Sequence, residues 1–226
     1  MAVSRGVVKN VDHFDRAQAL LTTPGHNGWT VKDTSSSGTP TYLTTGEDGG
    51  AMKLTLVNTN EAEIVTMYKN DILYLDLANL QHIWWILKVV GIDSVTDLVF
   101  GVAAAQNDTE DSVVTNAWFK MDGSVSTSII VAESDDGTND NDDVATGETL
   151  AAVYKKFDID FTRGLKDVQY IIDGERVAKA TTFDMSDLTS GLNVQPFVQL
   201  NKASGAGVAA VTIAQYGEQY SYNYGA

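Results

Sequence analysis

Strand-length runs that are closed every few residues by Gly, Asn or Asp leave this chain little room to be anything but all-β. Residues 52–58 (MKLTLVN) alternate apolar and polar. Residues 157–161 (FDIDF) put Phe157, Ile159 and Phe161 on one face and Asp158 and Asp160 on the other, the period of a half-buried strand. Three prolines stand against 19 glycines, and no long segment repeats its apolar positions at helical spacing. Residues 13–21 (HFDRAQALL) are expected as one short helix and residues 183–191 (FDMSDLTSG) as a helical turn. Two hairpins are expected from Asp-Gly pairs, which suit two-residue turns of the primed type. Asp173-Gly174 sets Ile172 opposite Glu175 and Tyr170 opposite Val177; Asp122-Gly123 sets Phe119 opposite Ser126. A length of 226 residues fits a single all-β domain, and neither a repeat nor a Pro-, Gly- or Ser-rich linker divides it. The expected organisation is an N-terminal arm (1–15), a two-sheet β-sandwich (16–215) and a Tyr-rich C-terminal tail (216–226).

Charge narrows the partners. The formal net charge is −15, so the surface repels phosphate backbones and anionic lipid; neither nucleic acid nor membrane is an expected partner. The absence of cysteine excludes disulfides, thiol catalysis and Cys-ligated metal. Residues 1–15 (MAVSRGVVKNVDHFD) have no apolar signal core, and the run IWWILKVVGI is broken by Lys88 and too short to span a bilayer. A soluble protein made in the cytoplasm is expected.

Several stretches invite a chemical reading. Residues 131–148 (VAESDDGTNDNDDVATGE) hold five Asp and two Glu and no Lys or Arg. No register meets the EF-hand pattern: from Asp135 the third position is Gly137, and from Asp140 the fifth is Val144. A calcium ion held by Asp135, Asp140 and Asp142 in the 135–143 loop is the alternative to a solvated loop between strands, and the solvated loop is expected. Glu61 and Glu63 alternate and share a face, but no third acid or adjacent aromatic accompanies them, so they read as a polar solvent face rather than a glycosidase pair. His13, His26 and His82 lie near no Gly-x-Ser-x-Gly turn, His82 reading as a strand-edge residue, and no Gly-rich phosphate loop occurs. No catalytic, cofactor-binding or metal-binding residue is assigned, and the chain is expected not to be an enzyme. In QHIWWILKVV (81–90), Ile83, Trp85, Leu87 and Val89 line one face, while Trp84, Ile86 and Val90 make the other face apolar as well. That second face is covered either by the same chain or by another subunit. Tyr220, Tyr222 and Tyr224 alternate near the C-terminus, where tyrosine buries area and still hydrogen-bonds. Trp84, Ile86, Tyr220, Tyr222 and Tyr224 are therefore the candidate interface residues.

Residues 156–185, a strand, a turn and a returning Asp-Gly hairpin, resemble the back-sheet segment of concanavalin A-like (laminin-G-like) jelly rolls. Residues 97–161, with 60–77, resemble structural proteins of tailed bacteriophages that use this sandwich. The resemblance implies a jelly roll of two antiparallel sheets with few short helices. It also implies a capsid decoration (cement) protein on the outer surface of the virion, bound to the major capsid protein and to copies of itself as a homotrimer. The alternative within the same resemblance is a carbohydrate-binding, host-adhesion module on a tail or head fibre; a glycan hydrolase ranks behind both.

Overall fold

The computed structural model describes residues 4–15, 22–45, 47, 49–188 and 193–224. Two eight-stranded antiparallel sheets face one another. Sheet A runs β14 (Glu175–Arg176), β13 (Gln169–Ile172), β12 (Lys155–Asp160), β7 (Leu80–Val90), β16 (Ala210–Tyr224), β4 (Ala51–Thr55), β3 (Thr41–Thr45), with β1 (Ser4–Asp12) beside the far half of β16. Sheet B runs β11 (Asp140–Thr149), β10 (Ile129–Asp135), β9 (Asn116–Asp122), β8 (Thr96–Ala103), β15 (Asn193–Lys202), β5 (Glu63–Tyr68), β2 (Thr30–Asp33), with β6 (Leu75–Asp76) on β15. The described residues hold no helix beyond two short 3-10 turns, His26–Gly28 and Glu110–Ser112.

The alternations expected from the sequence set the core. Phe157, Ile159 and Phe161 point inward, as do Ile83, Trp85, Leu87 and Val89 of the central β7. Aromatic rings dominate the filling: Phe100, Phe119, Phe157, Tyr170 and Phe183 form one contiguous set, and Phe14, Trp29, Trp85 and Tyr216 another.

Several expectations need correction. The Asp173-Gly174 hairpin forms with Ile172 opposite Glu175. The Asp122-Gly123 hairpin does not: Phe119 pairs with Ala132, across a longer connection. There Asp122 Oδ1 accepts from the Ser124 and Val125 amides, an Asx turn that outcompetes the two-residue geometry. Residues 131–148 are no solvated loop but the β10–β11 hairpin, and only 136–139 turn. The segment 183–191 forms no helix among its described residues: Phe183 bridges to Val168, and Ser186 and Asp187 turn. The helix expected at 13–21 falls mostly outside the described residues, and residues 13–15 are not helical.

The expected arm and tail are strands of sheet A, with Val8 opposite Tyr220 and Asp12 opposite Tyr216. Main-chain pairing between β1 and β16 offsets the chain entropy of these terminal segments. Glu63 is no solvent-facing residue either: its side chain and that of Lys202 are both 0 % exposed and lie 3.4 Å apart. His82 sits in the interior strand β7, 3.7 Å from Asp160, not at a sheet edge.

Candidate functional site

The inward residues of sheet B are mostly apolar, the buried Glu63–Lys202 pair aside, but its outer face is not uniformly polar. Tyr68, Val99, Ala103, Val113, Trp118 and Phe197 form a second apolar cluster there. The connection 104–115 between β8 and β9 lies over this face. Gln195 and Gln199 donate to its Ala104 and Asn107 carbonyls at 2.9 and 3.0 Å, and Lys32 pairs with Asp108 at 2.9 Å. This cover stops at β9. Beyond it, towards β10 and β11, a cleft of about 380 Å³ opens.

Alternation along β9 delivers Asn116, Trp118 and Lys120 to the outer face, opposite Asp135, Glu133 and Val131 of β10. Trp118 lies against β8 because its cross-strand partner is Gly101: a Cβ there would come within 2.6 Å of the Trp118 Cα. The Trp118 indole then donates to Glu133 Oε2 at 2.7 Å. Lys120 Nζ lies 2.9 Å from Glu133, 3.7 Å from Asp143, 3.8 Å from Glu110 and 4.0 Å from Asp111. Glu110 arrives from the single 3-10 turn of the covering connection, so the ammonium ties that connection to the sheet.

Four carboxyl groups around one ammonium leave a surplus of negative charge. Burial pushes Glu110 up to about 8, against the pull of Lys120. Burial likewise lifts Glu133 to about 6, opposed by the Trp118 and Lys120 hydrogen bonds. For Lys120, burial alone would lower the pKa, but Glu133 and its acidic neighbours outweigh it and hold the ammonium above the ordinary lysine range. The protons of the cluster therefore sit on carboxyls, Glu110 foremost. Contact with the same Nζ keeps the Glu110 and Glu133 oxygens within about 7 Å of one another.

A larger cavity of about 580 Å³ lies between β1 and the segments that carry Asn27, Lys69 and Tyr74. Its polar groups are satisfied within the chain. Glu218 accepts from Asn10, Tyr74 and Tyr216, and Asp12 accepts from Asn27 and Trp29. Lys69 donates to the Asn27 carbonyl with its ammonium 3.8 Å from the centre of the Trp29 ring; burial lowers its pKa to about 8. Charge is balanced there and unbalanced in the acidic cleft, which makes the cleft the stronger candidate.

The residues singled out from sequence lie elsewhere. Trp84 is 5 % exposed, packed on Gly217 with the Lys9 and Lys156 ammonium groups 4.7 and 5.6 Å from its ring centre. The same chain covers it. Ile86 is partly buried on the same face, and Tyr220 is 3 % exposed and points into the core. Tyr222 and Tyr224 pair through their backbones with Gly6 and Ser4; their side chains lie outside the described residues. In the 135–143 segment, Asp136 accepts from Thr138, Asn139 and Asp187 amides and Asp135 from Gly137, so these acids shape the turn. Among the described residues no three His, Asp or Glu side chains form a metal-ligand set. Sequence reasoning missed Glu110, Asn116, Trp118, Lys120 and Glu133. The alternation of NAWFK against VAESD was the available signal.

No family model matches the chain, and no curated protein matches it. Solved structures do. The GH16 protein of a Bacteroides ovatus mixed-linkage glucan locus, in complex with a G4G4G3G product, has a TM-score of 0.63 at 11 % identity, covering 92 % of this chain and 98 % of that one. A structure from work on endo-acting O-glycanases of the human gut microbiota gives 0.60 at 12 %, covering 95 % and 99 %. The carbohydrate recognition domain of Emp47p gives 0.54 at 10 %, covering 93 % and 96 %. The fold is the concanavalin A-like jelly roll. The expectation that the chain is not an enzyme is corrected by these neighbours, because the same sandwich carries glycan-cleaving enzymes. That expectation rested on setting aside Glu61 and Glu63 for want of a third acid and an adjacent aromatic, whereas Glu110 and Glu133 reach the same ammonium from different elements.

Proposed function

We propose that the chain is a carbohydrate-binding module whose sugar site is the acidic cleft at the β9–β11 end of sheet B. The observation that carries this reading is the cleft itself: an indole, an amide and several carboxylates converge on the outer face of a jelly roll. Carboxylates and amides accept hydrogen bonds from vicinal sugar hydroxyls, and a concave site with convergent, fixed polar groups is where a small ligand is expected. The carbohydrate recognition domain and the glucan-complexed enzyme among the similar structures support it at the level of the fold. A glycan array probed with the protein and with Asp142→Asn tests it. Binding that the substitution weakens is expected; an array without a single bound glycan refutes the reading.

A second reading is glycosidic-bond cleavage, favoured by one observation. Glu110 keeps its proton near neutral pH within about 7 Å of Glu133, the pairing of an acid with a carboxylate that such chemistry uses. Product release from any array-positive glycan, abolished by Glu110→Gln, would support it; binding without turnover would leave only the module.

For location we propose the outer surface of a tailed-phage virion, supported by the resemblance of residues 97–161. There a glycan-binding cleft serves adhesion. A clamp on the capsid would instead be supported by co-sedimentation of the protein with heads lacking it.

A further inference from the structure

We propose that the cleft selects glycans bearing free amines, such as glucosamine units, over neutral and N-acetylated ones; this rests on the glycan-binding reading and narrows its ligand class. Two independent observations support it. The first is charge. Of the twelve residues lining the cleft, seven are Asp or Glu and one, Lys120, is basic. Asp140, Asp142 and Asp143 crowd one rim, and burial together with the Asp140 charge raises the Asp142 pKa. A ligand cation entering there relieves repulsion that the protein does not itself neutralise.

The second is hydrogen-bond accounting. The nitrogen donors of the lining are already directed at the protein: Lys120 at its carboxylates, the Trp118 indole at Glu133, and the Asn116 amide nitrogen at the Val113 carbonyl at 3.2 Å. Acceptors are in surplus. Asn116 is 6 % exposed, lines the cleft, and its Oδ1 meets no donor. A buried carbonyl oxygen without a donor costs stability, so its partner is expected from the ligand. A protonated amine supplies three donors and a positive charge and asks for no acceptance in return. A hydroxyl also needs donors, and an N-acetyl group removes the charge and brings a carbonyl to a site short of donors.

The experiment is calorimetric titration of the full chain, in mildly acidic buffer, with glucosamine oligosaccharides, N-acetylglucosamine oligosaccharides and cello-oligosaccharides of equal length. The glucosamine series should bind at least about tenfold tighter and lose most of that advantage in high salt. Asp142→Asn, at a largely solvated position, and Asn116→Leu should each reduce the preference several-fold. Equal affinity across the three series overturns the amine inference and leaves the glycan reading standing. Binding of no series, with calcium chloride alone giving a saturable signal that Asp142→Asn removes, overturns both and makes the cleft a cation site.

Discussion

Replacing Lys202 by Met should remove one of the main internal ties of the sandwich. The Lys202 and Glu63 side chains are 0 % exposed. Lys202 Nζ donates to Thr59 O at 2.7 Å, to Gly207 O at 3.4 Å and to Val57 O, and lies 3.4 Å from Glu63 Oε2. Glu63 Oε2 also accepts from the Val57 amide at 2.9 Å. One ammonium thus fastens the segment after β4 and the segment before β16 to the β5–β15 pair. Met fills the volume but leaves a buried carboxylate and carbonyls short of donors. Breaking a buried pair from one side costs about 3–5 kcal/mol. At about 2–4 °C per kcal/mol for a domain of this size, the melting temperature should fall by roughly 10 °C. Urea unfolding followed by tryptophan fluorescence measures the loss. The double variant Glu63→Gln/Lys202→Met should recover at least about 1 kcal/mol relative to the sum of the single changes, since the two groups are in contact. A loss below about 1 kcal/mol for Lys202→Met, or strict additivity, would refute the reasoning.

Three further outcomes follow from the same geometry. Glu110 carries an acid pKa raised from 4.5 to about 8 in the folded chain, so its contribution to stability is complete below about 4.5 and is lost as pH rises to about 8; Glu110→Gln should flatten denaturation midpoints measured across that window, and an unchanged slope contradicts the burial of this acid. Gly217→Ala would drive a Cβ into the Trp84 indole and should cost at least about 2 kcal/mol by urea unfolding, whereas a wild-type midpoint would mean that Trp84 does not pack on its own chain. Deleting residues 217–226 removes the β16 segment that pairs with β1 and the start of β7, and should abolish cooperative unfolding by circular dichroism; a truncated chain that melts like the full one would return the Tyr series to the role of a tail.

The sandwich was legible where one face is apolar and the other polar. FDIDF announces its inward residues by period alone, and β12 buries them as expected; IWWILKVV is apolar on both faces, and its pairing in the centre of sheet A turns Ile83, Trp85, Leu87 and Val89 inward. The strand β1 was not legible because its pattern is inverted: Val7 and Val11 are 60 % and 38 % exposed, while Asp12 is 8 % exposed and hydrogen-bonded to Trp29. The candidate site was hidden for a different reason. Glu110 and Glu133 are brought together by the fold of the 104–115 connection over sheet B, and register shifts in the β10–β11 hairpin re-aim the acids between Ala132 and Ser134. Composition marked the stretch as acidic, but which acids are buried around Lys120 depends on cross-strand register, which spacing along one strand does not carry.

Two-dimensional amide and indole NMR during titration with an array-positive glycan shows whether the acidic cleft is the sugar site. The Trp118 indole, the Asn116 side-chain amide and backbone amides of residues 133–143 should shift together and saturably, while the Trp29 indole beside the larger cavity stays still. Saturable shifts at Trp29 and Lys69 with an unmoved Trp118 would contradict it.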